Sequence, residues 1–237
     1  MSILISPFNT LLYRPLFNGL ILIYNIIPDM GIAIIILTVL IRFIFAPLSK
    51  KAIQSQKAMA DLQPKMKEVQ RKYKDDKEEQ GRAMLALYKE HKVNPVSGCL
   101  PLLIQFPIII ALYKVFLSGM NIEQLNTLYN FVARPQSLNV MFLGFVNLAA
   151  AGNIILALIA GGSQFIQTKM MMPAKSAKGG SDMASMMGQQ MMYMMPLLTV
   201  FIAWKLPTAL SLYWIVFTVF GIVQQYYVEG GFTKKNV

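Results

Sequence analysis

One apolar run, M-G-I-A-I-I-I-L-T-V-L-I-R-F-I-F-A-P-L, extends from residue 30 to residue 48 and is long enough to cross a bilayer as a helix. It contains one charge, Arg42, and no acidic residue. An arginine at mid-span costs about 2.5–3.5 kcal/mol, whereas the twelve Ile, Leu, Phe and Val residues of this run return about 4–7 kcal/mol in total. The segment therefore inserts, but Arg42 needs water or a polar partner.

Four further apolar stretches follow, at about 98–118, 152–172, 188–205 and 207–228. Hydrophobic residues make up 55% of the 237 positions and charged residues 14%, which is typical of multi-span membrane proteins. We therefore expect an all-α membrane protein with five transmembrane helices within residues 30–228. Residues 1–29 carry Arg14, Asn18 and Asn25 on one helical face, which predicts an amphipathic helix on the outer surface.

Lysine and arginine are distributed unevenly among the connections between the spans. Twelve lie in 49–97, three in 169–190 and two in the basic tail 229–237. Because positively charged connections stay in the cytoplasm, we expect the N-terminus outside and the C-terminus in the cytoplasm. The net charge of +11 is then mostly a consequence of this topology.

The segment 49–97 is predicted to form a cytoplasmic hairpin of two amphipathic helices, with a kink at Pro64. The alternative is a solvated basic loop that only sets the orientation. So basic a surface suits anionic lipid headgroups or ribosomal RNA, and nothing in it predicts sequence-specific nucleic-acid binding. The apolar stripes of the two helices are Leu62, Met66, Val69 and Tyr73, then Met84, Leu87, Tyr88 and His91.

Polar side chains recur at helical spacing on the apolar spans. Thr38, Arg42 and Ser49 share one face of the first span, and Arg42 lies about 18 Å along it. Polar faces on several spans imply a shared wet cavity. The alternatives are ordinary interhelical hydrogen bonds, and for Arg42 snorkelling to the cytoplasmic headgroups. The other spans carry Gln105 on the second, Asn153, Gln164, Gln167 and Thr168 on the third, and Ser211, Trp214, Thr218 and Gln225 on the last.

Several classes of function find no support in the residues. The chain has one histidine and one cysteine, His91 and Cys99, so we expect no metal, no cofactor and no catalytic dyad. A transporter or channel with Arg42 as an anion site is the alternative from another class, but the chain has no internal repeat and the spans no acidic residue. Ten of seventeen methionines lie in 170–195, where they fill a span or form an adaptable apolar surface.

Six segments together resemble the YidC-type membrane protein insertases of bacteria, mitochondria and chloroplasts, in the form that lacks a large extracytoplasmic domain. They are T-V-L-I-R at 38–42, L-Q-P-K at 62–65, A-L-Y-K-E-H-K-V-N-P at 86–95, G-C-L-P-L-L-I-Q-F-P-I at 98–108, F-I-Q at 165–167 and L-Y-W-I-V at 212–216.

The resemblance implies a bacterial cytoplasmic (inner) membrane protein whose five spans surround a hydrophilic groove, open to the cytoplasm and closed outside. Such a protein moves short hydrophilic tails of nascent membrane proteins across the bilayer, without covalent or nucleotide chemistry. The Sec translocon and the ribosome are further candidate partners. The groove arginine falls on Arg42, and its neighbours on Thr38, Gln105, Gln167 and Trp214. Ser49, Gln164, Ser211, Tyr213 and Thr218 complete the predicted groove.

Overall fold

The computed structural model describes residues 7–94, 100–118, 127–171 and 183–230, most of them in helices. The predicted helical fold class is confirmed. A π-helical turn at Asn9–Tyr13 leads into α1 (Arg14–Ile26), which is followed by α2 (Met30–Ile44), α3 (Ala46–Lys72), α4 (Lys77–Glu90), α5 (Leu100–Ser118), α6 (Ile154–Met171), α7 (Met183–Lys205) and α8 (Thr208–Glu229). Between α5 and α6, β1 (Met141–Phe142) pairs antiparallel with β2 (Val146–Asn147).

Among the described helices, α6 and α8 are long and apolar enough to cross a membrane. The bent pair α2 and α3 adds a third candidate if the two helices count as one span. α5 and α7 contain shorter apolar helices, Gln105–Phe116 and Met192–Lys205. Length and composition thus identify two or three spans, and the arrangement of five spans stays a prediction. The loop residues 172–182, which belong to the methionine-rich region, lie outside the described residues.

The first predicted span ends earlier than its apolar composition suggests. α2 stops at Ile44, and the chain bends by 66° before α3 begins at Ala46. Pro47 lies in the first turn of α3, where its missing N–H is tolerated, whereas inside a continuous helix its ring would clash with the preceding turn. A single straight span over 30–48 is therefore wrong. Ser49 lies beyond the bend and does not continue the face of Thr38 and Arg42.

α3 and α4 pack against each other as an antiparallel hairpin. The Asp76 side chain caps α4 by accepting hydrogen bonds from the backbone of its first turn, at 3.1 and 2.9 Å. Across the hairpin, the Gln80 amide donates to the Gln70 carbonyl at 3.0 Å. Pro64 lies inside α3 without ending it. Partial burial in this hairpin raises the pKa of Tyr88 above its usual value.

The main hydrophobic core joins α1, α2, α5 and the first half of α8. All four helices contribute large apolar side chains to it, and the small Ala33 and Ala209 let α2 and α8 pack closely. A second cluster between α6, α7 and α8 consists of Ala157, Ala160 and Ala203, which let these helices approach closely. Fully buried members of the main core include Phe17, Ile21, Ala33, Val115, Leu148, Ala209 and Leu210.

The polar residues of α1 hold the connection between α5 and α6. The Asn18 side chain accepts from the Tyr129 backbone at 2.6 Å and is buried. The Asn25 amide donates to the Ala133 carbonyl at 2.7 Å. The polar stripe that predicted an amphipathic helix thus holds a loop of the chain.

Asp29 joins the start of α2 to the β1–β2 turn, and we therefore expect its carboxylate to stabilise the fold. Its Oδ1 accepts from the Ile32 backbone at 3.0 Å, and its Oδ2 accepts from the Leu143 backbone at 2.8 Å. Asp29→Ala should lower the free energy of unfolding by about 1–2 kcal/mol. Asp29→Asn keeps a capping oxygen and should lose less. Thermal unfolding in detergent measures both, and equal losses would contradict the capping role.

Candidate functional site around Arg42

Arg42 lies near the C-terminal end of α2, and its side chain reaches the neighbouring helix α8. Only 8% of the residue is exposed. Its Nη2 donates to the Phe217 carbonyl at 2.6 Å, and its Nε donates to the same oxygen at 3.1 Å. The guanidinium carbon also lies 3.7 Å from the centroid of the Phe217 ring. The cation is thus held by a backbone dipole and an aromatic face, both of which stabilise positive charge in an apolar environment.

The guanidinium can approach this carbonyl because α8 has a glycine one turn later. A β-carbon built on Gly221 would overlap Arg42 Nη2 and Gln167 Nε2. In a regular helix the carbonyl of residue 217 also pairs with the N–H of residue 221, and its second lone pair remains available. Gly221 therefore marks the point where α2, α6 and α8 meet.

A second polar contact connects α5 to α8. The Gln105 amide donates to the Tyr213 hydroxyl at 2.5 Å. The Tyr213 ring is buried and lies 5.7 Å from the Phe217 ring, centroid to centroid. Gln105 is therefore linked to Arg42 through two aromatic residues on successive turns of α8.

A third contact connects α6 to α8. Trp214 Nε1 donates to Gln164 Oε1 at 3.4 Å, a long hydrogen bond at a half-buried position. Gln167, three residues further along α6, lies beside Gly221. Gln164 and Gln167 thus both face α8, as their spacing predicts.

The remaining predicted residues do not all face Arg42. The Thr38 hydroxyl donates within α2 to the Ile34 carbonyl at 2.6 Å, and the Ser211 hydroxyl donates to the Ala203 carbonyl of α7 at 3.0 Å. Ser211 therefore serves an interhelical hydrogen bond. Thr218 is fully buried, and its hydroxyl has no hydrogen-bond partner among the described residues.

The electrostatic environment of Arg42 lacks a matching acidic residue on its own helices. α2 and α6 contain no Asp or Glu, and α8 contains only Glu229 at its last position. Glu229 accepts a hydrogen bond from the Gln225 amide at 2.9 Å, one turn away. The charge of Arg42 is consequently solvated by dipoles and rings and is not neutralised by these helices.

Three participants in the site were not among the residues that the polar pattern of the sequence identified. Phe217 contributes a backbone carbonyl and a ring, Phe220 adds a second ring whose centroid lies 5.5 Å from the guanidinium carbon, and Gly221 contributes the absence of a side chain. A signal for Gly221 was available. It occupies the position between Thr218 and Gln225 that continues the spacing of the polar face of α8.

The hairpin contains a separate open cleft of about 610 Å³ between α3 and α4. Its lining combines side chains of both charge signs with apolar ones. The lining side chains are Lys65, Glu68, Val69, Lys72, Tyr73, Glu79, Arg82, Ala83, Ala86, Leu87 and Glu90.

The chain matches the family model of the 60Kd inner membrane protein over residues 22–235. It is similar to the membrane protein insertase YidC of Geobacter sulfurreducens, with 37% identity over 220 residues, covering 92% of this chain and 37% of that protein. YidC of Actinobacillus succinogenes is 36% identical over 227 residues, which are 94% of this chain and 38% of that protein. The chain thus spans less than two fifths of these two relatives.

Two further similarities extend over most of the chain. The membrane protein insertase YidC of Fusobacterium nucleatum is 35% identical over 202 residues, covering 85% of this chain and 87% of that protein. A crystal structure described as an active YidC insertase with its first transmembrane domain resolved is similar with a TM-score of 0.60 and 29% identity. The match covers 91% of this chain and 46% of that one.

The contact at Gly221 predicts opposite effects for two glycine substitutions. Gly221→Ala displaces Arg42 and Gln167, and the loss of charge-assisted hydrogen bonding, about 1.5–3 kcal/mol, should outweigh a gain in helix propensity of about 0.5–1 kcal/mol. Gly162→Ala is the matched control on α6, because nothing lies within 4 Å of a β-carbon there. Thermal unfolding should show a loss for the first and a small gain for the second. Two gains would contradict the close approach.

Proposed function

The chain belongs to the family of the 60Kd inner membrane protein, and on that premise we propose that it is a membrane protein insertase. It transfers short hydrophilic tails of nascent proteins across the bilayer and releases their hydrophobic segments into lipid. The observation that carries this proposal is the state of Arg42, a buried cation held by a neutral carbonyl. A cation in this state is available to an anionic ligand.

An acidic client tail can compete with the Phe217 carbonyl for Arg42. A carboxylate forms shorter and stronger hydrogen bonds with a guanidinium than a carbonyl does. When Arg42 turns to the client, the carbonyl keeps its helical partner at residue 221, so no backbone group loses its pairing. When the tail leaves for water on the far side, Arg42 returns to the carbonyl. Binding is thus reversible, which transfer requires.

Buried polar atoms on α8 extend the proposed site along this helix. Thr218 Oγ1 and Gln225 Oε1 are buried without hydrogen-bond partners among the described residues. An unpaired buried polar atom costs about 1–3 kcal/mol, so a passing polar segment gains by pairing with it. Gln105, Gln164, Gln167 and Trp214 are the further groove residues of this proposal.

The hydrophobic segment of the client moves along the apolar outer faces of α6, α7 and α8. Partition of its roughly 20 apolar residues into lipid supplies the free energy, so no nucleotide or covalent step is needed. Exposed apolar side chains on these helices include Ile155, Leu158, Ile166, Leu197, Phe201, Val219 and Val223.

The proposed orientation places five spans in the bacterial inner membrane, with the N-terminus outside. Twelve Lys and Arg residues in 49–97 then place the hairpin of α3 and α4 in the cytoplasm. Its cleft, which is lined by charged and apolar side chains, is proposed to receive the client first. The ribosome and the Sec translocon are candidate partners on this side.

Insertion into proteoliposomes tests the role of Arg42. Arg42→Ala should lower the insertion rate of a client with an acidic tail at least about tenfold, since a charge-assisted hydrogen bond contributes about 1.5–3 kcal/mol. Arg42→Lys keeps the charge and should retain a larger share of activity. Protease protection of the translocated tail provides the measurement.

Two controls separate charge pairing from a general loss of function. Lys114→Ala removes another cation, an exposed one, and should leave insertion unchanged. A client whose tail acids are replaced by Asn and Gln should depend much less on Arg42. Equal insertion of the acidic client by the wild type and Arg42→Ala would overturn the charge-pairing mechanism.

A further inference from the structure

The turn between β1 and β2 has a backbone conformation that its sequence does not favour. Leu143 and Gly144 have φ angles of 50° and 80°, and the Phe145 N–H donates to the Phe142 carbonyl at 3.2 Å. This is a type I′ turn, in which asparagine and glycine are preferred at the two central positions. A leucine there is strained, because its β-carbon crowds the backbone.

The side chains at the tip are large, apolar and exposed. Leu143 is 55% exposed and Phe145 is 72% exposed. No charged residue occurs between Arg134 and Lys169, so no charge of this segment would oppose its contact with lipid. Exposure of these apolar side chains to water is unfavourable and does not compensate for the strain at Leu143. An apolar partner for the tip is therefore indicated.

The tip is held rigidly at the first turn of α2. Asp29 binds the Leu143 N–H at 2.8 Å, and the Phe142 ring covers Gly31, where a β-carbon would overlap it. At the open end of the β1–β2 hairpin, the Leu148 N–H donates to the Val140 carbonyl at 3.0 Å. A helix that enters a bilayer does so at the interface, so a tip fixed at its first turn lies at the depth of that interface.

The β1–β2 hairpin is followed closely in sequence by α6, a helix with an exposed apolar face. α6, which is long and apolar enough to span a membrane, starts soon after β2. Its first exposed side chains, Ile154 and Ile155, are apolar. The polar backbone of the intervening segment is paired in part, since the Gly152 N–H donates to the Trp204 carbonyl at 2.9 Å and the Ala150 carbonyl accepts from the Thr208 N–H at 2.9 Å.

We propose that Leu143 and Phe145 insert into the lipid bilayer, at the boundary of headgroups and acyl chains in the leaflet where α2 begins. The hairpin thereby anchors the first turn of α2 and sets the depth of that helix, and with it the depth of Arg42. The occupant of the surface is lipid. The insertion of the tip requires only that the chain lies in a bilayer. It does not depend on whether Arg42 binds an acidic client tail.

Depth-dependent quenching of a fluorophore tests the insertion. Full-length protein with Cys99→Ser receives single cysteines by Leu143→Cys or Phe145→Cys, is labelled with an environment-sensitive dye and is reconstituted into phosphatidylethanolamine and phosphatidylglycerol vesicles. Lys74→Cys, in the exposed turn between α3 and α4, is the aqueous reference. Leu158→Cys, at an exposed apolar position of α6, is the lipid reference.

At positions 143 and 145 we expect blue-shifted emission, quenching by spin-labelled lipid and protection from iodide, as at position 158. Iodide quenching equal to that at position 74 would overturn the proposal, because the tip would then lie in water. Protection from both iodide and spin-labelled lipid would also overturn it, because the tip would then be covered by protein.

Leu143→Asn separates anchoring from folding. Asparagine is preferred at this turn position, so in detergent the melting temperature should be equal to or higher than that of the parent. In vesicles, the same substitution should reduce lipid quenching of a dye at position 145 by half or more. A raised melting temperature with unchanged quenching would mean that the tip is only a turn, and the proposal would fail.

Discussion

Arg42 and the Phe217 carbonyl form the contact on which the arrangement of the helices around the site depends. A buried guanidinium must be paired, and neither α2 nor α6 has an acidic residue to pair with it. The carbonyl of residue 217 has a second lone pair, which is reachable only because residue 221 has no side chain. This requirement brings α2 against α8 at Gly221, where the Gln167 side chain of α6 also lies.

α8 organises the site because successive turns of it meet different helices. Tyr213 meets Gln105 of α5, Trp214 meets Gln164 of α6, and Phe217 meets Arg42 of α2. The polar groups of three helices therefore converge on α8, whereas α6 and α7 expose apolar side chains such as Leu158 and Phe201.

Helical periodicity predicted much of this from the sequence. It singled out Arg42, Gln164, Gln167 and Trp214, because an apolar background makes each polar residue stand out, and the structure brings these side chains to contacts at α8. It failed at Ser49, since one proline in the first turn after Phe45 changes the direction of the chain and no periodicity survives a 66° bend. It overlooked Phe217, because a backbone carbonyl leaves no trace in a pattern of polar residues, and Gly221, because a glycine on the polar face of α8 is not itself polar.

Composition and periodicity alone indicate that the chain is helical and membrane-bound, that Arg42 lies within an apolar run, and that polar faces occur on several helices. These are local properties, set by composition and by the 3.6-residue repeat. In contrast, the hydrogen bonds from Arg42 to the Phe217 carbonyl and from Ser211 to the Ala203 carbonyl of α7 are visible only once the helices are packed. Such pairings depend on which helices become neighbours and at what height. Which helices become neighbours depends on close packing at positions such as Gly221 and Ala203, which lie far from Arg42 in the sequence.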